Sequence, residues 1–198
     1  MAWELYIQVG MLLSSFLLFI ISFFSHLIAH LQDNIIIMSA IKNVAIVGGS
    51  GKLGSPALQY LLDAKRFNVT AITRESSSAT FPDGVKVVKV NYDNKHDLVN
   101  AFKGHDVAIF IVGAQVMHTQ LSLVDAAAEA GVQWIVPTEF SADSANEKLM
   151  EQITFFDIKH QVRAKIEQLG MKYLAVICHV WPEFVSNYIG AFVETTGY

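Results

Sequence analysis

From Ile41 onward the apolar positions switch between two periods. Short runs of β-branched and small residues, "NVAIVG", "NVTAIT", "VKVVKV", "DVAIFIVG", "VQWIVP" and "KYLAVI", read as six strands. Between them, apolar residues recurring every three or four positions predict helices over "SPALQYLLDAKR", "KHDLVNAF" and "HTQLSLVDAAAEAG", and a longer one from about Ser144 to Leu169. Gly131 and Gly170 stand where the last two of these stop, and Pro137 stops the fifth strand. Strands alternating with helices predict an α/β fold, a parallel sheet covered by helices. A different pattern precedes it. From Leu5 to Leu31 there is no Asp, Glu, Lys or Arg, and "MLLSSFLLFIISFF" sits at the centre, long enough as a hydrophobic helix to cross a bilayer.

These patterns divide the chain into residues 1–37, an apolar N-terminal segment; residues 38–177, a parallel-sheet domain; and residues 178–198, a short C-terminal remainder. A secretory signal peptide fits the first segment poorly, because its only charge before Leu5 is Glu4 and no small-x-small cleavage site precedes Asp33. Two readings stay open. One is a membrane anchor through residues 5–31, holding a cytoplasmic domain, although the flanking charges are too few to orient it. The other is a start placed upstream of the working protein, since Met38 directly precedes "SAIKNVAIVGG". His26 and His30 could share a helix face, but without a third ligand they do not make a metal site.

Composition narrows the function classes. With 198 residues, 53% of them apolar, the chain can bury one ordinary core with a segment to spare. Beyond residue 37 it keeps 14 basic and 16 acidic residues, a balance that carries no nucleic-acid footprint. Cys178, the lone cysteine, lies in the apolar run "YLAVICHV" and reads as a small core residue; it cannot form an internal disulfide.

The chemistry begins where the first strand ends. Gly48, Gly51 and Gly54 are spaced G-x-x-G-x-x-G at the junction of strand and helix, with Gly49 as an extra glycine. Glycines there permit a tight turn and let backbone N–H groups approach an anion at the helix start, as a pyrophosphate requires. With a strand before the turn, a helix after it and a second strand at the expected distance, the pattern predicts a Rossmann-type, doubly wound sheet that binds a dinucleotide. The candidate turn comprises Gly48, Gly49, Ser50, Gly51, Lys52, Leu53 and Gly54, with Gly113 after the fourth strand and Thr138 after the fifth as further cofactor contacts.

The second strand ends in "ITRESSS", where an NAD site usually carries an acid for the ribose hydroxyls. Arg74 is the base that pairs with a 2′-phosphate, which predicts NADP, and Thr73 and Ser76 add hydroxyls beside it. Glu75, next along, is the carboxylate that would serve NAD instead.

Taken together, "VGGSGKLG", "ITR", the helix from Gln120 and "IVPTEFSAD" resemble the isoflavone reductase-like, NmrA-like branch of the atypical short-chain dehydrogenases, over about Ala40 to Ile177. The resemblance implies an NADPH-dependent reductase of a small, often aromatic substrate, or a cofactor-sensing regulator without catalysis. The Tyr-x-x-x-Lys spacing of tyrosine-dependent relatives is here "FFDIK", with Phe155 in place of the hydroxyl. The branch's own F-x-x-K-x-x-x-R pattern is matched by Phe156, Lys159 and Arg163, and implies that Lys159 touches the nicotinamide ribose and acts as general acid or base. A lysine near a bound cation and apolar walls has its pKa lowered toward the working pH, as that role needs.

Departures from the resemblance fall at two places. Where the branch tends to read P-S-E-F-G, this chain reads "PTEFS", so Thr138 keeps a hydroxyl and Ser141 replaces the glycine. After the last strand, "CHVWPEFVSNYIG" puts His179 and Trp181 where the branch has N-x-F-A-G-Y. Such proteins continue well past this point into a substrate-binding region, and about twenty residues make a short substrate wall. Lys159 favours the reductase; the short wall favours a sensor or a non-catalytic relative.

Overall fold

The computed structural model describes residues 41–141 and 157–178, and the backbone of residues 4–8. Seven strands form one sheet: β1 Glu4–Gln8, β2 Asn43–Val47, β3 Asn68–Arg74, β4 Lys86–Val90, β5 Val107–Phe110, β6 Trp134–Val136 and β7 Lys172–Ile177. Their order is β1-β7-β6-β5-β2-β3-β4, and every neighbouring pair is parallel. Among the described residues the α-helices are α1 Gly54–Asp63, α2 Lys95–Phe102, α3 Thr119–Glu129 and α4 Asp157–Gln168. All six predicted strands are present, each within one to three residues of its expected span. The expected long helix is described only from Asp157, because residues 142–156 lie outside the described part.

The period of two along each strand sorts the core into two layers. Ala45, Val47, Ile72, Ala108, Phe110, Ile135, Ala175 and Ile177 face Leu98 and Phe102 of α2, Leu123 and Ala127 of α3, and Val162 and Ile166 of α4. Their alternates, Val44, Ile46, Val69, Ala71, Ile109, Leu174 and Val176, form the other layer, with Ala57, Leu58 and Leu61 of α1. Burial on both faces is why these strands read as continuous apolar runs. Local polar groups fix the ends: Asn94 caps α2 by accepting from His96 N at 3.0 Å, and Asp106 accepts from Lys42 N and Asn43 N, each at 2.8 Å, at the foot of β2.

The N-terminal segment departs from expectation. An apolar helix was predicted to begin at Leu5, with all strands beyond Met38. Instead Glu4–Gln8 is a strand, pairing in parallel from Glu4 opposite Tyr173 to Gln8 opposite Ile177. The reason is physical: β7 would otherwise leave a row of N–H and C=O groups open at the sheet margin, and Tyr6 and Ile7 are good strand formers. Hydropathy measures how apolar a run is and does not separate helix from strand. Residues 9–40, with most of the apolar run and both His26 and His30, lie outside the described residues. Among those described, no helix is long and apolar enough to cross a membrane.

Candidate functional site

From β2 the chain moves outward to β3 and β4, then returns to the other side of β2 and continues to β5, β6 and β7. The direction of travel therefore reverses between β2 and β5, and the loops after these two strands part at their carboxyl ends, which is where open α/β sheets bind ligands. Gly48 takes φ +84°, and a Cβ there would lie 2.0 Å from the Ile111 carbonyl oxygen. A Cβ on Gly54 would lie 1.9 Å from the Gly48 oxygen. Neither position has room for a side chain, so the turn folds tightly on itself and against the loop after β5. Gly51 N donates to Gly48 O at 3.1 Å, and Ser55 N to Gly51 O at 2.9 Å. No side chain caps α1 and its first turn holds no acid, which leaves the positive end of the helix open to an anion.

A cleft of about 350 Å³ opens beside this turn. Gly51, Lys52 and Leu53 form one side; Ile111, Val112, Gly113, Ala114 and Met117 form the second; Thr138, Glu139, Phe140, Ser141 and Lys159 form the third. The structure thus gathers Gly51, Lys52, Leu53, Gly113, Thr138 and Lys159 of the predicted set. Gly49 and Gly54 are buried beneath, Gly48 is half-buried and Ser50 is exposed on the turn.

The cleft's second and third sides are tied together by two polar side chains. Thr138 Oγ1 donates to Phe110 O at 2.8 Å and accepts from Val112 N at 3.1 Å. Thr138 N in turn donates to Gln120 Oε1 at 2.8 Å, and Gln120 Nε2 donates to Met117 O at 3.4 Å. Thr138 was predicted as a cofactor contact; its hydroxyl holds the ends of β5 and β6 in place and so shapes the wall. Gln120 is wholly buried on α3, and sequence alone does not separate this role from that of an ordinary helix-start residue.

Behind the third side lies a buried ionic group. Lys159 and Arg163, four residues apart, share one face of α4. Arg163 Nε donates to Glu139 Oε1 at 2.7 Å, and Lys159 Nζ lies 3.8 Å from Glu139 Oε2. The same amine donates to Glu139 O and to Ser141 Oγ. Lys159 is 3% exposed and Glu139 2%. Burial pulls the amine down to a pKa of about 8, against the upward pull of the Glu139 carboxylate and of Cys178. Arg163 adds a smaller downward push. Burial also holds the Cys178 thiol up at about 12. Such an amine can keep or give up a proton near neutral pH, which suits a general acid or base. The 20- and 24-residue separation of Glu139 from Lys159 and Arg163 hides this pairing from local sequence pattern.

Arg74 is exposed at the end of β3, on the same sheet edge but outside the cleft's lining. Tyr92 stands close to it: burial pushes the Tyr92 hydroxyl up to about 12, the Arg74 charge pulls the other way, and the hydroxyl donates to Ile72 O at 3.4 Å. Sequence reading had not singled out Tyr92. Phe155 and Phe156 of the predicted pattern, and His179 and Trp181, lie outside the described residues.

With this geometry in place, known proteins of similar sequence and shape can be set beside it. The sequence model of the NmrA-like family matches residues 40–196. Oxidoreductase aprR of Aspergillus flavus is 33% identical over 155 residues, covering 74% of this chain and 52% of that protein. An isoflavone reductase homolog of Nicotiana tabacum is 30% identical over 169 residues, covering 78% of this chain and 53% of that protein. Among solved structures, AtPrR2 with NADP+ and (+)pinoresinol superposes with a TM-score of 0.61 at 25% identity, covering 69% of this chain and 49% of that one. The chain spans about half the length of the curated relatives it matches.

Proposed function

The chain belongs to the NmrA-like family, and on that premise we propose that it binds NADPH in the crevice between β2 and β5 and serves the reduction of a small apolar or aromatic molecule, with Lys159 handling the proton. The observation that carries this reading is the placement of Lys159: a buried amine with a pKa of about 8 lines the same cleft as the uncapped start of α1. The two features are what a dinucleotide reductase needs, an anion seat and a proton group within one pocket. Relatives named oxidoreductase and isoflavone reductase homolog, and a neighbour solved with NADP+, support it.

The residues present fit the cofactor. Positions 48 and 54 admit no Cβ, so the turn keeps its N–H groups near the surface where a pyrophosphate would rest. Gly113, exposed at the rim, lets the backbone approach closely. Arg74, exposed at the end of β3, is the group for a 2′-phosphate, and Tyr92 beside it provides an aromatic flank. NADPH supplies a hydride when bound. Met117, Phe140 and Leu53 give the cleft apolar surface, which suits a substrate with little charge.

Loss of NADPH absorbance against a panel of enones, quinones and phenylpropanoid-like compounds tests the proposal, on the polypeptide encoded by the full open reading frame. Turnover on at least one compound is the expected result. Tight NADPH binding with no turnover on any of them would replace the reductase with a cofactor sensor.

A further inference from the structure

The cleft holds a hydroxyl that the reductase reading does not use. Ser141 lines it, half-buried, three residues beyond Thr138, and its Oγ receives a hydrogen bond from Lys159 Nζ. The second acceptor for the same nitrogen is the main-chain oxygen of Glu139, two residues back along the same loop. Between them Phe140 takes φ +30°, a left-handed backbone that a bulky side chain seldom adopts. On either side of that kink the two acceptors converge on one amine. Backbone held in such a region implies that its surroundings enforce it, and here the surroundings are the cleft.

The loop itself is firmly held. Cys178 N donates to Ser141 O at 3.2 Å, Ser141 bridges to Ile177 of β7, and Thr138 N is bound to Gln120. Ser141 Oγ is thus a fixed point on a loop anchored to the end of β7 and to α3, whereas Lys159 has a long, flexible stem rising from α4. We propose that Ser141 is a positioning residue for Lys159: its hydroxyl, with the Glu139 carbonyl, tethers the amine to the loop after β6 and holds it against the cleft. Without the hydroxyl the amine loses one of its two acceptors on that loop, the Glu139 carbonyl remaining. The role in reduction rests on the reductase reading; the tether itself does not.

Among the described residues, the charged and titratable groups acting on Lys159 are Glu139 on the loop after β6, Arg163 on α4 and Cys178 just past β7. None of them is altered by a change at Ser141. A hydrogen bond accepted from an ammonium favours its charged form, so removing the hydroxyl should make the proton easier to lose.

The experiment is a pH titration of the lysine amines by nitrogen NMR on the labelled chain, with Lys159 assigned by its disappearance in Lys159→Arg. The unmodified protein should titrate near the value of about 8 that burial imposes. Ser141→Ala should lower the midpoint by roughly one pH unit, a tenfold loss in proton affinity, as expected for a hydrogen bond to a charged group. Ser141→Thr keeps a hydroxyl and should restore the midpoint. Each variant leaves the Ser141 main-chain bonds in place, and an unchanged circular dichroism spectrum checks the fold. A midpoint unmoved by Ser141→Ala overturns the proposal while leaving the reductase reading intact. Once a substrate is in hand, Ser141→Ala should lower kcat with little change in KM for NADPH, and Ser141→Thr should recover it. A kcat indifferent to Ser141, in a protein whose turnover does depend on Lys159, would remove the positioning role.

Discussion

Replacing Lys159 by Met keeps an unbranched, apolar stem and removes only the buried amine. In the folded protein that amine has a pKa of about 8, against 10.5 in its unperturbed state. Between those two values the unfolded chain binds a proton that the folded chain does not, so this site makes the protein more stable as pH rises through the window. The interval of about 2.5 units corresponds to roughly 3 kcal/mol, a destabilisation present in full below pH 8 and gone above pH 10.5. At pH 7 the Met variant escapes that cost but gives up the charged amine's bonds to Glu139 O and Ser141 Oγ, about 1.5 kcal/mol each. The two effects nearly offset at pH 7. The pH dependence of the difference is the sharper test.

The assay is urea denaturation of both proteins at intervals from pH 7 to 10.5. Wild type should gain about 3 kcal/mol relative to Lys159→Met across that range. Cys178 titrates the opposite way, because its thiol is held at about 12 in the fold, well above its ordinary value, and its contribution is lost as pH climbs. It is present in both proteins, so subtraction largely removes it, along with the exposed lysines. A difference between the two proteins that stays flat with pH would refute the claim that Lys159 is buried with a lowered pKa.

Other substitutions probe the rest of the site. Gly54→Ala puts a methyl 1.9 Å from the Gly48 oxygen, and NADPH binding by calorimetry should fall at least about tenfold, as for a 1.4 kcal/mol loss; unchanged affinity would mean the turn is looser than described. Gln120→Leu strips Thr138 N of its buried acceptor and should cost about 1–3 kcal/mol in urea denaturation; a neutral result would remove Gln120 from the account. Arg74→Ala should remove most of a preference for NADPH over NADH, about 1.5–3 kcal/mol for one charged contact, and equal affinities in the unmodified protein would refute the 2′-phosphate assignment. A chain begun at Met38 keeps the described cleft but bares the β7 edge, so NADPH affinity should hold while aggregation on standing increases; lost affinity would tie residues 1–37 to the site.

The parts of the fold that were legible in the sequence are those fixed by local pattern. The glycine spacing marked the turn because the steric need at Gly48 and Gly54 is written in the residues themselves, and the apolar runs marked β2, β5, β6 and β7 because burial on both faces leaves little polar alternation to confuse. The pairing of Glu4–Gln8 with β7 was not legible: it joins residues about 169 apart, and a charge-free run looks the same whether it will be strand or helix. The Glu139, Lys159 and Arg163 group was half legible. The family pattern pointed to Lys159 and Arg163, but their shared carboxylate comes from another strand end, and Gln120 and Ser141 gained their roles through contacts that no local spacing encodes.

On the proposed reading Lys159 handles the proton, while the turn at Gly48 to Gly54 on the other side of the same cleft holds the cofactor. Measuring turnover and NADPH affinity side by side in Lys159→Ala tests it most directly. Turnover should fall roughly 100-fold or more, as general acid–base groups typically contribute, while NADPH affinity changes little. Turnover that survives the substitution would contradict it.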